Sequence, residues 1–168
     1  MPTPGKFVWY DLMTIDAAAA EQFYRSVVGW GAQRMDTPAM PYTTFMAGET
    51  GVGGLMALTQ PMIADGATPG WIGYISTDDI DAAAAGVRAA GGAIHREPMD
   101  IPGVGRFAMA ADPQGAGFAL FQPAEASQQS PASMTAPGHG GWHELRTSDL
   151  DGAWDFYAKL FGWTKTTT

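Results

Sequence analysis

From Lys6 to Met13 the chain is dense in aromatic and β-type side chains and reads as a strand. The spacing then changes. Ala20, Phe23, Tyr24 and Val27 fall at i, i+3, i+4 and i+7, one apolar face of an amphipathic helix. Asp16 stands where a carboxylate accepts a first-turn N–H, and Gly29 where a helix ends in the left-handed conformation. Trp30 to Met35, Tyr42 to Ala47 and Val52 to Leu58 return to strand-type runs, with Asp36 to Pro41 and Gly48 to Gly51 as turns. The predicted unit is β-α-β-β-β.

The same order recurs more loosely. Trp71 to Thr77 reads as a strand, and Asp79 or Asp81 caps an Ala-rich helix whose face is Ile80, Ala83, Ala84 and Val87. Gly91 and Gly92 close that helix, and Ala93 to Arg96, Arg106 to Ala111 and Gly117 to Phe121 supply three more strands. Asp112-Pro113-Gln114-Gly115 is a tight turn, with proline fixing φ and glycine at the permissive position. Residues 123–136, small, polar and Pro-flanked, read as a linker. A third unit opens with a strand from Gly140 to Arg146 and a helix from Asp149 to Phe161, whose face is Ala153, Phe156, Tyr157 and Leu160.

Residues 4–31 laid over 137–164 without a gap are identical at 11 of 28 positions, where about two matches are expected by chance from ordinary composition. Among them are Gly5/Gly138, Trp9/Trp142, Asp16/Asp149, Phe23/Phe156, Tyr24/Tyr157 and Trp30/Trp163. This is an internal repeat. The expected organisation is one domain over 4–122, made of modules 4–58 and 71–122, then the linker and a partial further module over 137–168. A lone strand and helix cannot bury the Phe156 stripe together with Trp142, Trp154 and Trp163. Association is therefore expected, as a homodimer formed through 137–168 or by docking on the same chain, the alternative being a remnant truncated from a longer tandem protein.

Hydrophobic residues make up 46% of the chain and charged residues 15%, the balance of a soluble globular protein. A net charge of −8 argues against nucleic acid and against a basic membrane-binding patch. The absence of cysteine excludes disulfides, a thiolate nucleophile and Cys-ligated zinc, and fits a cytoplasmic location. No apolar run reaches the roughly 20 residues of a membrane span. Met1-Pro2-Thr3 before an immediate strand leaves no signal peptide to expect.

Trp9-x-x-Leu12-x-Thr14-x-Asp16, Ala20-x-x-Phe23-Tyr24, Gly29-Trp30, Asp78-Asp79-Ile80-Asp81, Ala90-Gly91-Gly92 and Asp112-Pro113-x-Gly115 together resemble the vicinal-oxygen-chelate superfamily of glyoxalases, extradiol dioxygenases and bleomycin-resistance proteins. The stretch from Asp100 to Ala108 resembles its tandem-domain, glyoxalase-like "hydroxylase" subgroup. The resemblance implies an α+β fold: two paired β-α-β-β-β modules forming a curved eight-stranded sheet around a cavity. It also implies metal-ligand positions on strands facing that cavity. In this chain those positions fall at Trp9, Ile72 and Ala119, and near Gly54, Leu55 and Met56, none of which carries an oxygen or nitrogen donor suited to a divalent metal. No metal and no cofactor are expected.

With Leu12 toward the helix, alternation turns Phe7, Trp9 and Asp11 into the cavity. Ile72 and Tyr74 join them from the fifth strand, and Ala119 and Phe121 from the last. Arg106 is the cation best placed for a carboxylate ligand. Asp11 is then a general base or a ligand anchor; alternatively it sits at a wet pocket mouth or pairs with Arg106 or a backbone amide. His95 reads as a rim residue, and alternation places His143 opposite Glu144, away from any joint metal site with His139. Gly51-Val52-Gly53-Gly54 reads as a glycine hairpin or bulge. Two functions follow: a protein binding a small organic molecule in an apolar cavity, or a lyase or dioxygenase-like enzyme acting on a small oxygenated metabolite.

Overall fold

The structure, a computed structural model, describes residues 4–36, 41–124 and 136–166. Its elements are β1 (Phe7–Thr14), α1 (Ala17–Val27), β2 (Gly31–Asp36), β3 (Pro41–Ala47), β4 (Thr50–Ala57), α2 (Gln60–Ala64), β5 (Gly70–Ser76), α3 (Ile80–Ala89), β6 (Ala93–Ile101), β7 (Gly105–Ala111), β8 (Gly117–Pro123) and α4 (Leu150–Phe161). The fold is α+β, and its one mixed sheet has the strand order β2-β3-β4-β1-β5-β8-β7-β6. Each module repeats one topology. β1 runs parallel to β4, as β5 does to β8, and the remaining neighbours within each module are antiparallel.

The described residues cluster into two compact units, one of 9–36, 41–73 and 136–143, the other of 4–8, 74–124 and 144–166. The first has a core of Leu12, Phe45, Val52 and Leu55 with Tyr24 and Trp30 packed against it. In the second, Ile75, Ile80, Val87, Phe118, Leu120, Phe156 and Tyr157 form the core. Helix starts follow the sequence closely. Asp16, Asp79 and Asp149 accept from Ala19 N, Ala82 N and Gly152 N at 2.9, 2.9 and 3.0 Å, so the second helix is capped by Asp79 rather than Asp81.

Four features differ from the sequence reading. α1 buries no residue: Ala17, Ala20 and Tyr24 touch the core, while Phe23 and Val27 are 55% and 66% exposed. The short α2, capped by Thr59, carries no long apolar period that could announce it. β6 continues past Arg96 to Ile101, with register shifts after Ile94 and Arg96. Residues 140–146 are not a strand. Gly140 instead comes close to the Tyr10 ring, where an added Cβ would stand 3.2 Å from Tyr10 Cε2.

The helix of the third unit does form, ending at Gly162 with φ 67°. Its stripe is buried within this chain. Phe156 and Tyr157 meet Phe118, the Tyr157 ring stacks on Trp163 at 5.5 Å, and the Tyr157 hydroxyl donates to Asp112 Oδ2 at 3.1 Å. The other oxygen of Asp112 accepts from Gln114 N and Ala116 N at 2.9 Å each, which holds the β7–β8 turn. Most of the expected linker, residues 125–135, lies outside the described residues. No helix among the described residues is long and apolar enough to cross a membrane.

Candidate functional site

Asp11 is the buried acid of the first unit, at 4% exposure. It sits on β1 opposite Gly54 of β4, which in turn faces Thr44 of β3. Alternation along β3 therefore brings Tyr42 to the same face. The Tyr42 hydroxyl donates to Asp11 Oδ1 at 2.7 Å, and the Trp9 indole lies 3.0 Å from the same oxygen and 2.9 Å from the Tyr42 oxygen. Burial first, and then the Asp11 charge, pushes the Tyr42 phenol far above its ordinary value, so it remains a donor. The result is a carboxylate fixed by two donors beside an indole.

Gly54 makes this packing possible. A Cβ there would stand 1.8 Å from the Tyr42 hydroxyl and 2.1 Å from Asp11 Oδ1. Its φ is not in the left-handed region, so close approach rather than a turn is what demands glycine. A bulge does occur nearby, between Phe45 and Met46 opposite the glycine run.

The other expected site residues are placed as follows. Ile72 is half-buried in β5 of the first unit. In the second unit Tyr74 pairs in register with Ala119, and its ring meets Phe121 at 6.3 Å and Phe107 at 6.4 Å. Phe7 packs on the core of the second unit, 6.1 Å from Trp163. Arg106 is held by acids of its own unit, with Nη1 2.6 Å from Asp81 and Nε 3.2 Å from Asp100. The hydrogen bond from Arg106 keeps the Asp81 carboxyl below its usual range. Asp11 has Trp9 and Tyr42 where pairing with Arg106 was one expectation. His95 is exposed on β6. Among the described residues no three His, Cys, Asp or Glu side chains converge as a metal-binding group. Tyr42 reads from the sequence as the start of a strand and not as a site residue. Its link to Asp11 crosses two strand registers, and the only local signal was its position two residues before Thr44 on an alternating strand.

His143 belongs to the segment that crosses Tyr10. Its ring stacks on Tyr10 at 5.6 Å, and its Nε2 is hydrogen-bonded to the Tyr10 hydroxyl. Burial holds the imidazole below its ordinary value. The unfolded chain thus binds this proton more readily. The stabilisation is complete above the unfolded pKa of about 6.5 and is lost as pH falls below it. Acidification from pH 7.5 to about 5.5 is expected to lower the melting temperature more in the native chain than in His143→Phe. Equal pH slopes in differential scanning fluorimetry would remove His143 from the account.

Residues 6–120 match the Glyoxalase/Bleomycin resistance protein/Dioxygenase superfamily, and the chain belongs to it. It is 35% identical over 174 residues to the anthracycline biosynthesis protein DnrV of Streptomyces peucetius, covering 95% of this chain and 61% of that one. The putative glyoxylase CFP32 of Mycobacterium tuberculosis is 42% identical over 121 residues, 71% of this chain and 45% of that protein. The chain thus spans less than two thirds of these relatives. Among solved structures, methylmalonyl-CoA epimerase from Mycobacterium tuberculosis superposes with a TM-score of 0.54 at 16% identity, over 73% of this chain and 90% of that one. The hypothetical protein BH1468 from Bacillus halodurans gives 0.56 at 14%, over 74% and 99%. These two share the fold.

Proposed function

We propose that this protein binds a small, planar, oxygenated organic molecule on the face carrying Trp9, Asp11 and Tyr42, and does so without the metal of its superfamily. The observation that carries the proposal is the buried Asp11 carboxylate, fixed by the Trp9 indole and the Tyr42 hydroxyl. An oriented acceptor next to an aromatic face suits a hydroxylated ring system. Trp9, Ile72 and Ala119 offer no donor for a divalent ion, so the residues present do not fit one. The name of the Streptomyces relative ties that protein to anthracycline biosynthesis, which makes an anthracycline a suitable first probe.

The alternative is a lyase or dioxygenase-like enzyme acting on a small oxygenated metabolite with Asp11 as general base. The Trp9 indole and the Tyr42 hydroxyl both aim their hydrogens at Oδ1, so this oxygen is already committed as an acceptor, which favours binding over proton abstraction. Titration followed by Trp fluorescence decides the matter. Saturable quenching by an anthracycline is expected, with at least about tenfold weaker binding in Asp11→Asn, the factor for losing one charge-assisted hydrogen bond. Exhaustive chelation should leave that affinity unchanged. Stoichiometric metal in the purified protein together with loss of binding on chelation would sink the proposal.

A further inference from the structure

Three contacts join the two repeat copies, one between equivalent positions and two related by exchange of roles. The Trp30 indole donates to the Gly138 carbonyl at 2.8 Å, and the Trp163 indole donates to the Gly5 carbonyl at 2.7 Å. Trp30 and Trp163 are equivalent in the repeat, and so are Gly5 and Gly138. Tyr10 and His143, again equivalent, stack on each other at an interplanar angle of 13°. Each copy therefore uses the same groups on the other with roles exchanged. That is the reciprocity of an isologous contact, here inside one chain.

The reciprocity makes the two helices directly comparable. On α4, Phe156 is 4% exposed, and Leu160 and Phe161 pack on the same core. Glycines floor this seat: a Cβ on Gly92 would meet Phe156 Cε2 at 3.0 Å, and one on Gly86 would meet Leu160 Cδ2 at 3.0 Å. α1 presents Phe23, Val27 and, just past its end, Val28 at the equivalent positions. Yet they are 55%, 66% and 43% exposed. A face whose counterpart is a buried helix contact stands open to water.

We propose that the Phe23, Val27 and Val28 face of α1 is the docking surface for a further β-α-β-β-β module of the β5–β8 kind, whose glycine-floored helix would cover α1 as α3 covers α4. A second copy of this chain is not the occupant, because its α3 face is already filled by its own α4. The relatives offer room for such a module, since the matched part is 61% of DnrV and 45% of CFP32.

The test supplies a free α3 face. In the full chain, Phe156→Asp should release α4, so that α1 of one copy docks on α3 of the next. Light scattering is expected to show a doubled mass, and adding Phe23→Asp should return it to the monomer. A released α4 with unchanged mass overturns the proposal, as does a dimer that survives Phe23→Asp. A dimer of the unsubstituted chain that Phe23→Asp dissolves also overturns it, by assigning the face to a second copy. Should Phe156→Asp fail to fold, a fusion in which residues 32–123 follow Thr164 delivers the module covalently. Amide exchange in α1 is then expected to slow at least about tenfold, and Phe23→Asp to reverse the effect. Unchanged exchange, or a fusion that folds no further than the chain itself, overturns the proposal.

Discussion

Replacing Gly54 with alanine is expected to destabilise the protein by about 2–5 kcal/mol, the sum of an overpacked site and a broken buried hydrogen bond. In an ordinary strand interior the same change would be favourable by roughly 0.5–1 kcal/mol, because glycine loses the most backbone entropy on folding. The sign reverses here because the new methyl would lie 1.8 Å from the Tyr42 hydroxyl and 2.3 Å from its ring carbon. A tyrosine ring cannot bend aside as a lysine tip can, so either the ring or β4 must move. Both responses separate the hydroxyl from Asp11.

Gly53→Ala is the internal control. Its Cβ would meet the Tyr10 carbonyl at 3.1 Å and the Trp71 ring at 3.3 Å, contacts that a shift of a few tenths of an ångström relieves. Urea unfolding of the two variants should therefore differ by at least about 1 kcal/mol, since overpacking relieved by small shifts sits at the low end of its range. If Gly54→Ala were as stable as the native chain, the Trp9, Asp11 and Tyr42 arrangement would not be the packed state in solution. The functional proposal would fall with it.

Much of this fold is legible in local pattern because its signals are local. Asp16, Asp79 and Asp149 each stand three residues before the amide they cap, and Gly162 takes the left-handed conformation that its place after the last apolar residue requires. The candidate site is legible only in part, for a geometric reason. Trp9 and Asp11 are two apart on one strand, so alternation places them together. Tyr42 reaches Asp11 only through the pairings of β1 with β4 and of β4 with β3, which no local period encodes.

α1 and α4 separate what an apolar stripe says from what it leaves open. A stripe shows that a helix has a face to cover, but the cover is a property of the surroundings. Phe156→Ala is expected to cost about 3–4 kcal/mol, the usual loss for a buried phenylalanine with its residual cavity. The ring is 4% exposed and lies against Phe118 and Tyr157. Phe23→Ala, the same substitution at the equivalent position of the other copy, is expected to fall within about 1 kcal/mol of zero. The lost edge contact with Tyr24 is offset there by the better helix propensity of alanine, worth up to about 0.7 kcal/mol. Paired urea titrations at one low protein concentration make the comparison. Equal losses at the two positions would mean that the α1 face is already covered in solution. A cost for Phe23→Ala that grew with protein concentration would identify the cover as a second copy.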